Sequence, residues 1–329
     1  MAWQARSVQG LEGTTRRLAE LLTTGRGGLA DPTGSGLVFE PSVVIRPLDG
    51  RPPPADTWAV DGGQATVADA RCLQLVVTRA ATVRWRHGAC VLEDEGELRP
   101  HLLGLGEERR ALAALRSPVA PGAPVDVNLL RDWAEWEAVS SAVDAADPGA
   151  VVLVDGDLQP DWRIPAEWVA GLLERAAGRG VTLVAVTKHS SLARGGAPLV
   201  SSLEAEAEAA LGPRACWSAR VATTRPELGP GLAVHVARLD PDARFAFRVD
   251  LPADADAETV LGAVAGWCDD AAFPGYPYPL SVADRLAACP DWVRDEVRAE
   301  VEDGLVAAGV AAEVVERAFT DRHRLMERA

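Results

Sequence analysis

Two aspartates stand in the same local setting. Asp61 closes the apolar run Trp58-Ala59-Val60 and is followed by Gly62 and Gly63; Asp155 closes Val151-Val152-Leu153-Val154 and is followed by Gly156. An apolar run ending on an acid and a glycine reads as a buried strand whose carboxylate projects from the sheet edge, although Asp-Gly after a strand is also a common turn. Between the two lies a helical stretch bearing Glu135 and Glu137, residues that could equally form a solvated face. Carboxylates from a first strand, an intervening helix and a later strand can converge on two divalent cations about 3.5–4 Å apart, one activating water and the other stabilising the leaving oxygen of a phosphodiester. Any metal must rely on such carboxylates. The five histidines form no spaced ligand pair, and Cys72, Cys90, Cys216, Cys268 and Cys289 stand singly, with no C-x-x-C. That favours a hard cation, Mg2+ or Mn2+, and dispersed thiols suit a reducing compartment.

Composition singles out another residue. Of 33 basic residues, Lys188 is the only lysine. Where arginine has replaced lysine elsewhere, the exception marks either a chance survival or a place that needs a compact ammonium. Tyr276 and Tyr278 are the only tyrosines and alternate with Pro274, Pro277 and Pro279. Such a stiff aromatic strip could stack unpaired bases, or pack its rings on the core. The ten tryptophans are too dispersed to form a stacking stripe.

The elements that must position these residues follow from periodicity. A helix is expected over 7–23, a strand over Leu37–Ile45, and short hairpin strands over Trp58–Asp61, Cys72–Thr78, Ala81–Arg86 and Ala89–Leu92. Asn128–Ala146 reads as a helix, Ala150–Val154 as a buried strand, Pro165–Ala177 as a helix with proline in its first turn, and Val181–Val186 as a second buried strand. Further expectations are a helix near 201–211, strands near 215–222, 232–238 and 244–250, a helix near 257–270, and a helical C-terminus. An antiparallel meander followed by helix, strand, helix, strand implies an α/β fold with a mixed sheet.

The 329 residues, 48% apolar and 25% charged, suit a globular chain, and no apolar run is long enough for a membrane span. Met1–Arg6 leads into polar sequence, so the cytoplasm is the expected location. The formal charge of −15 argues against a surface that coats nucleic acid non-specifically, but leaves room for a local basic groove.

Four segments in order resemble the NurA nucleases: Trp58-Ala59-Val60-Asp61-Gly62-Gly63, Val152-Leu153-Val154-Asp155-Gly156-Asp157-Leu158, Val184-Ala185-Val186-Thr187-Lys188 and Phe273–Leu280 followed by Ala283-Asp284. The resemblance spans about residues 55–290. It implies one nuclease domain over 1–329 with a ribonuclease-H-like mixed sheet core flanked by helices, an N-terminal helix and strand over 1–54, and C-terminal helices over 290–329. It also implies cleavage of DNA with Mn2+ or Mg2+, a homodimer, and a hexameric HerA-type ATPase as partner in DNA end processing or defence. By position, Asp61 and Asp155 match the metal-binding strand carboxylates. Arg131-Asp132-Trp133-Ala134-Glu135 matches an Arg-x-x-x-Glu pattern, with Glu137 the alternative. Asp284 stands where relatives carry histidine, which puts histidine-type acid–base catalysis in doubt. Lys188, at a strand end near such carboxylates, would neutralise charge on the scissile phosphate.

Two other classes compete. Asp61-Gly62-Gly63-Gln64-Ala65-Thr66 loosely resembles the phosphate loop of actin-like and sugar-kinase-like ATPases, but no second phosphate loop or adenosine motif accompanies it. A non-catalytic subunit docking on a translocase is the other; retention of the acidic set argues against it. No P-loop is present, so translocation would come from a partner.

Overall fold

The computed structural model describes residues 11–24, 27–32, 36–115, 117–120, 122–159, 161–224, 231–320 and 326. In chain order the elements are α1 (Leu11–Thr24), β1 (Leu29–Ala30), β2 (Leu37–Phe39), β3 (Arg46–Pro47), β4 (Asp56–Asp69), β5 (Gln74–Arg86), β6 (Ala89–Asp94), β7 (Arg99–Leu103), α2 (Glu108–Ala114), α3 (Val127–Ala145), β8 (Val151–Asp155), α4 (Ala166–Gly178), β9 (Thr182–Thr187), β10 (Ala193–Arg194), β11 (Ala197–Pro198), α5 (Leu199–Leu211), β12 (Trp217–Thr224), β13 (Leu232–Arg238), β14 (Phe247–Pro252), α6 (Ala257–Ala265), α7 (Tyr278–Ala287), α8 (Asp291–Ala307) and α9 (Ala312–Phe319). They fall into two compact units. One comprises Pro54–Ala185 and Tyr278–Ala329; the other comprises the chain up to Pro53, Val186–Glu227 and Gly231–Pro277.

The first of these units is built on β4. Thr57, Trp58, Ala59 and Val60 are all buried, as a strand covered on both faces requires. β5 pairs with β4 antiparallel along its length, β8 pairs with it parallel, and the order across this unit is β9-β8-β4-β5-β6, with β7 also on β5. The start of β4 is held firmly. Asp56 accepts two hydrogen bonds from Arg84 at 2.8 and 2.9 Å and one from the Asp147 N–H at 3.2 Å. Burial alone would raise the Asp56 carboxyl, but these partners hold it below its usual value. α3 begins at Asp126, whose side chain accepts from the Leu129 N–H at 2.9 Å, and it buries Leu129, Leu130, Trp133, Trp136, Val139 and Val143. Trp168 of α4 meets Trp133 and Trp136 edge-on at 5.0 and 6.2 Å. Three antiparallel strands, a helix, a parallel strand, a helix and a further strand make the ribonuclease-H-like mixed sheet core flanked by helices.

The other unit contains the antiparallel strands β2-β12-β13-β14, with β3 also on β12. Leu199 and Leu203 of α5 pack on Trp217, Val221, Val234 and Val236 of that sheet. No described helix is long and apolar enough to cross a membrane.

Several sequence expectations change. β4 does not stop at Asp61: it continues through Gly62 and Gly63 to Asp69, because Gly62 and Gly63 pair with Ala80 and Arg79. Cys72–Thr78 and Ala81–Arg86 merge into one strand, β5, for the same reason. The strand expected over Leu37–Ile45 contracts to β2, with β3 a separate element, and the helix near 257–270 ends at Ala265. Pro165 is the N-cap of α4 and not part of its first turn. β7 and α2 were not anticipated; both are short, and length weakens a periodic signal. Residues 7–10 of the expected first helix lie outside the described residues.

Candidate active site

The parallel pairing of β4 and β8 ends at Val60 opposite Val154. The next residues on the two strands are Asp61 and Asp155, so the register sets the two carboxylates side by side where β8 runs out. Asp61 is buried, and its Oδ1 accepts the Gly62 N–H at 2.7 Å. Side chains alternate along a strand, so Asp61 and Gly63 share a face. A Cβ on Gly63 would lie 1.8 Å from the Ala287 carbonyl oxygen, so α7 rests directly on bare backbone there. That close approach brings in Asp284, three residues before Ala287. Oxygens of Asp61, Asp155 and Asp284 all lie within 4.8 Å of one another, grading from buried through half-buried to exposed.

An arginine fixes the end of α7. Arg79 pairs with Gly63 across the β4–β5 ladder and is buried. Its Nε donates to the Ala287 carbonyl at 3.1 Å, its Nη2 to the Ala288 carbonyl, and its Nη1 to Glu95 at 3.2 Å. The last carbonyls of a helix have no partner within it, and Arg79 supplies one. Sequence reasoning passed over this residue. The available signal was a charge inside the apolar run from Leu75 to Val83, where burial demands a partner.

Gly62 faces the other way, toward α3. A Cβ there would come within 2.8 Å of Glu135 Oε2 and 3.2 Å of Arg131 Cγ. Glu135 is buried, and its carboxyl is pushed well above the usual value, first by burial and then by the charges of Asp61, Asp132 and Asp155; Arg131 opposes them. Arg131 and Glu135 are one turn apart, and Arg131 Nε is a buried donor with no protein partner. Glu137, about 200° further round the helix, instead pairs with Arg99 at 2.8 Å. Of the two helix glutamates, Glu135 is the one that packs on the β4 backbone at Gly62, near enough for the charges of Asp61 and Asp155 to raise its carboxyl.

So many carboxylates at one point are costly unless a cation compensates them. Three oxygen donors of graded exposure, with a fourth carboxyl behind them, fit a hard divalent ion. Asp61, Asp155 and Asp284 would hold it, with Glu135 adjoining.

The remaining candidates are placed differently. Lys188 is exposed just past β9, in the unit with β12–β14, and its Nζ lies 5.3 Å from the centre of the Tyr276 ring. Tyr276 is 3% exposed and packs against Phe247 at 5.5 Å and Phe273 at 6.2 Å. Of the two sequence readings for Tyr276, base stacking or packing on the core, the buried ring among Phe247, Phe273 and Lys188 fits packing. Tyr278 belongs to the other unit. It opens α7 and meets Trp85 edge-on at 5.5 Å, half-exposed.

No protein-family model matches the chain, and no curated protein matches its sequence. Among solved structures, the NurA nuclease from Sulfolobus solfataricus matches with a TM-score of 0.58 at 14% identity, covering 91% of this chain and 95% of that one. A second NurA crystal structure gives 0.46 at 10% identity, covering 84% and 92%, and the catalytic domain of human endonuclease V gives 0.38 at 15%, covering 93% and 100%. With its ribonuclease-H-like core and near-complete mutual coverage of the Sulfolobus enzyme, the chain has a NurA-like fold.

Proposed function

We propose that this chain is a metal-dependent DNA nuclease that hydrolyses phosphodiester bonds at the Asp61–Asp155–Asp284 centre by a two-metal mechanism. The observation that carries the reading is the convergence of those three carboxylates, from two strands and a helix far apart in sequence, within 4.8 Å. Mg2+ or Mn2+ bound there supplies an activated water and charge stabilisation at the leaving oxygen. Asp61 and Asp155 are the inner ligands, held by strand register. Asp284, the exposed member of the three, would be the solvent-side oxygen donor to the cation, with no imidazole there to relay protons. Glu135 completes the acidic set from behind, and a bound cation offsets the repulsion that disfavours its charge. The charge developing on the phosphate is assigned, on sequence grounds, to Lys188. Likeness in fold to the NurA nuclease supports the choice of DNA as substrate. The resemblance of the sequence motifs alone carries the further reading of a cytoplasmic homodimer that acts with a hexameric HerA-type translocase.

The test is cleavage of end-labelled linear and circular DNA in Mn2+. Wild-type protein should cut, and Asp61→Asn and Asp155→Asn should each lower the rate by at least about 10²–10³, with thermal stability near wild type. Cleavage by either variant at the wild-type rate would overturn the assignment.

A further inference from the structure

The far end of β4 carries a feature that the acidic centre does not use. A cleft of about 530 Å3 opens there, and Arg71, Arg294, Arg298 and Arg317 line it, with only Asp69 and Asp295 as acids. Acids outnumber bases 48 to 33 in the whole chain, whereas among the residues that line this cleft bases outnumber acids four to two.

The cleft is framed by firm structure. Val297 and Val301 of α8 pack on Val67, Leu75 and Val77 of the β4–β5 hairpin, which holds Arg294 and Arg298, one turn apart, at the cleft. Arg71 sits in the turn between β4 and β5 at φ +68°, a conformation glycine adopts more readily, with its N–H bound to Asp69 Oδ1 at 2.6 Å. The arginines have acidic neighbours close in sequence, among them Asp69 at 3.9 Å from Arg71, Asp291 and Asp295 at 3.1 and 3.4 Å from Arg294, and Glu302 at 2.8 Å from Arg298. These are solvent-exposed pairs, weak and readily exchanged for a phosphate that accepts from the same guanidinium.

We propose that this arginine cleft binds the phosphodiester backbone of DNA at a distance from the cut, as an exosite for the flank of the substrate. The proposal rests on the nuclease reading of the acidic centre. The eight residues from Asp61 to Asp69 at about 3.3 Å each put the cleft roughly 26 Å away, about eight base pairs along a duplex. Substrates shorter than that on the flank gain nothing from it.

The experiment uses the full chain. Binding to a labelled duplex of about 30 base pairs is followed by anisotropy in EDTA, between about 50 and 200 mM salt. Arg294→Gln/Arg298→Gln should lower the slope of log K against log salt by about two and weaken binding roughly ten- to a hundredfold. Arg16→Gln/Arg214→Gln, an equal change in net charge on arginines outside the cleft, should leave the slope unaltered. In Mn2+, the cleft variant should lose kcat/KM on the long duplex and match wild type on a hairpin with a stem of about six base pairs. An unchanged slope in the cleft variant overturns the proposal, as does an equal loss in the control pair or an equal loss of cleavage on both substrates. If the wild type binds but does not cut, the acidic-centre reading fails instead, and the salt slopes still decide the cleft.

Discussion

At the scale of single residues, the site turns on which carboxylates face each other. Glu135 and Glu137 are two positions apart on one helix, yet one is buried beside Gly62 and the other is paired with Arg99. On the proposed two-metal reading, in which a bound cation favours the charged Glu135 carboxylate, Glu135→Gln should cut cleavage by about 10²-fold or more. Glu137→Gln gives up a half-exposed ion pair and should cost only a small loss of stability. Single-turnover rates at saturating Mn2+ decide between them, and the reverse ranking would move the helix ligand to Glu137. Asp284 belongs to the same scale: it brings a third carboxylate oxygen within 4.8 Å of those of Asp61 and Asp155.

At the scale of elements, the site depends on how closely α7 can approach β4. Gly63 leaves the strand bare under Ala287, and Arg79, opposite it, ties down the helix end. Gly63→Ala would place a methyl carbon 1.8 Å from a backbone oxygen, so α7 must move. Overpacking of that kind costs about 1–3 kcal/mol of stability. Moving Asp284 by about an ångström should lower kcat by about 10²-fold, which is more than the stability loss alone would explain in a folded sample. Arg79→Gln, which removes the guanidinium that donates to the Ala287 and Ala288 carbonyls, should lower the rate in the same direction. Calorimetric titration with Mn2+ provides the second readout: both variants should bind the ion more weakly. Wild-type cleavage and metal affinity in Gly63→Ala would show that α7 is not held by this contact.

At the scale of the whole molecule, the two compact units respond to acid through different groups. His235 of β13 is buried, both of its ring nitrogens lack protein partners, and its pKa is lowered to about 4, first by burial and then by Arg220. The fold keeps the ring neutral until about pH 4, whereas the unfolded chain takes up a proton near its model value of 6.5. Stability is therefore complete above about pH 6.5 and falls as the pH drops toward 4, by about 3 kcal/mol at most. Asp56 in the other unit is also depressed by its partners, so its contribution is lost only below the ordinary carboxylate range. A series of thermal melts from about pH 7.5 to 4.5 should show a steady fall for wild type and a flatter profile for His235→Leu. Parallel profiles would remove His235 as the source of the acid sensitivity.

The local pattern alone determined a good deal. Apolar runs closing on Asp61 and Asp155 read as buried strands, the period of Asn128–Ala146 read as a helix, and the order of these elements implied an α/β fold with a mixed sheet; the ribonuclease-H-like core was an implication of the motif resemblance. These are statements about neighbours in sequence, which share one backbone geometry and one exposure pattern. Tertiary structure decided the rest. Whether β4 stops at Asp61 depends on β5 pairing past the glycines, and the two aspartates meet because β8, some ninety residues later, ends one residue beyond the Val60–Val154 pair. Asp284 enters the site only because α7 lies on Gly63, and the covering of Tyr276 comes from Phe247 and Phe273. Register, helix approach and ring burial are set by contacts between distant segments, and periodicity within a single segment carries no information about them.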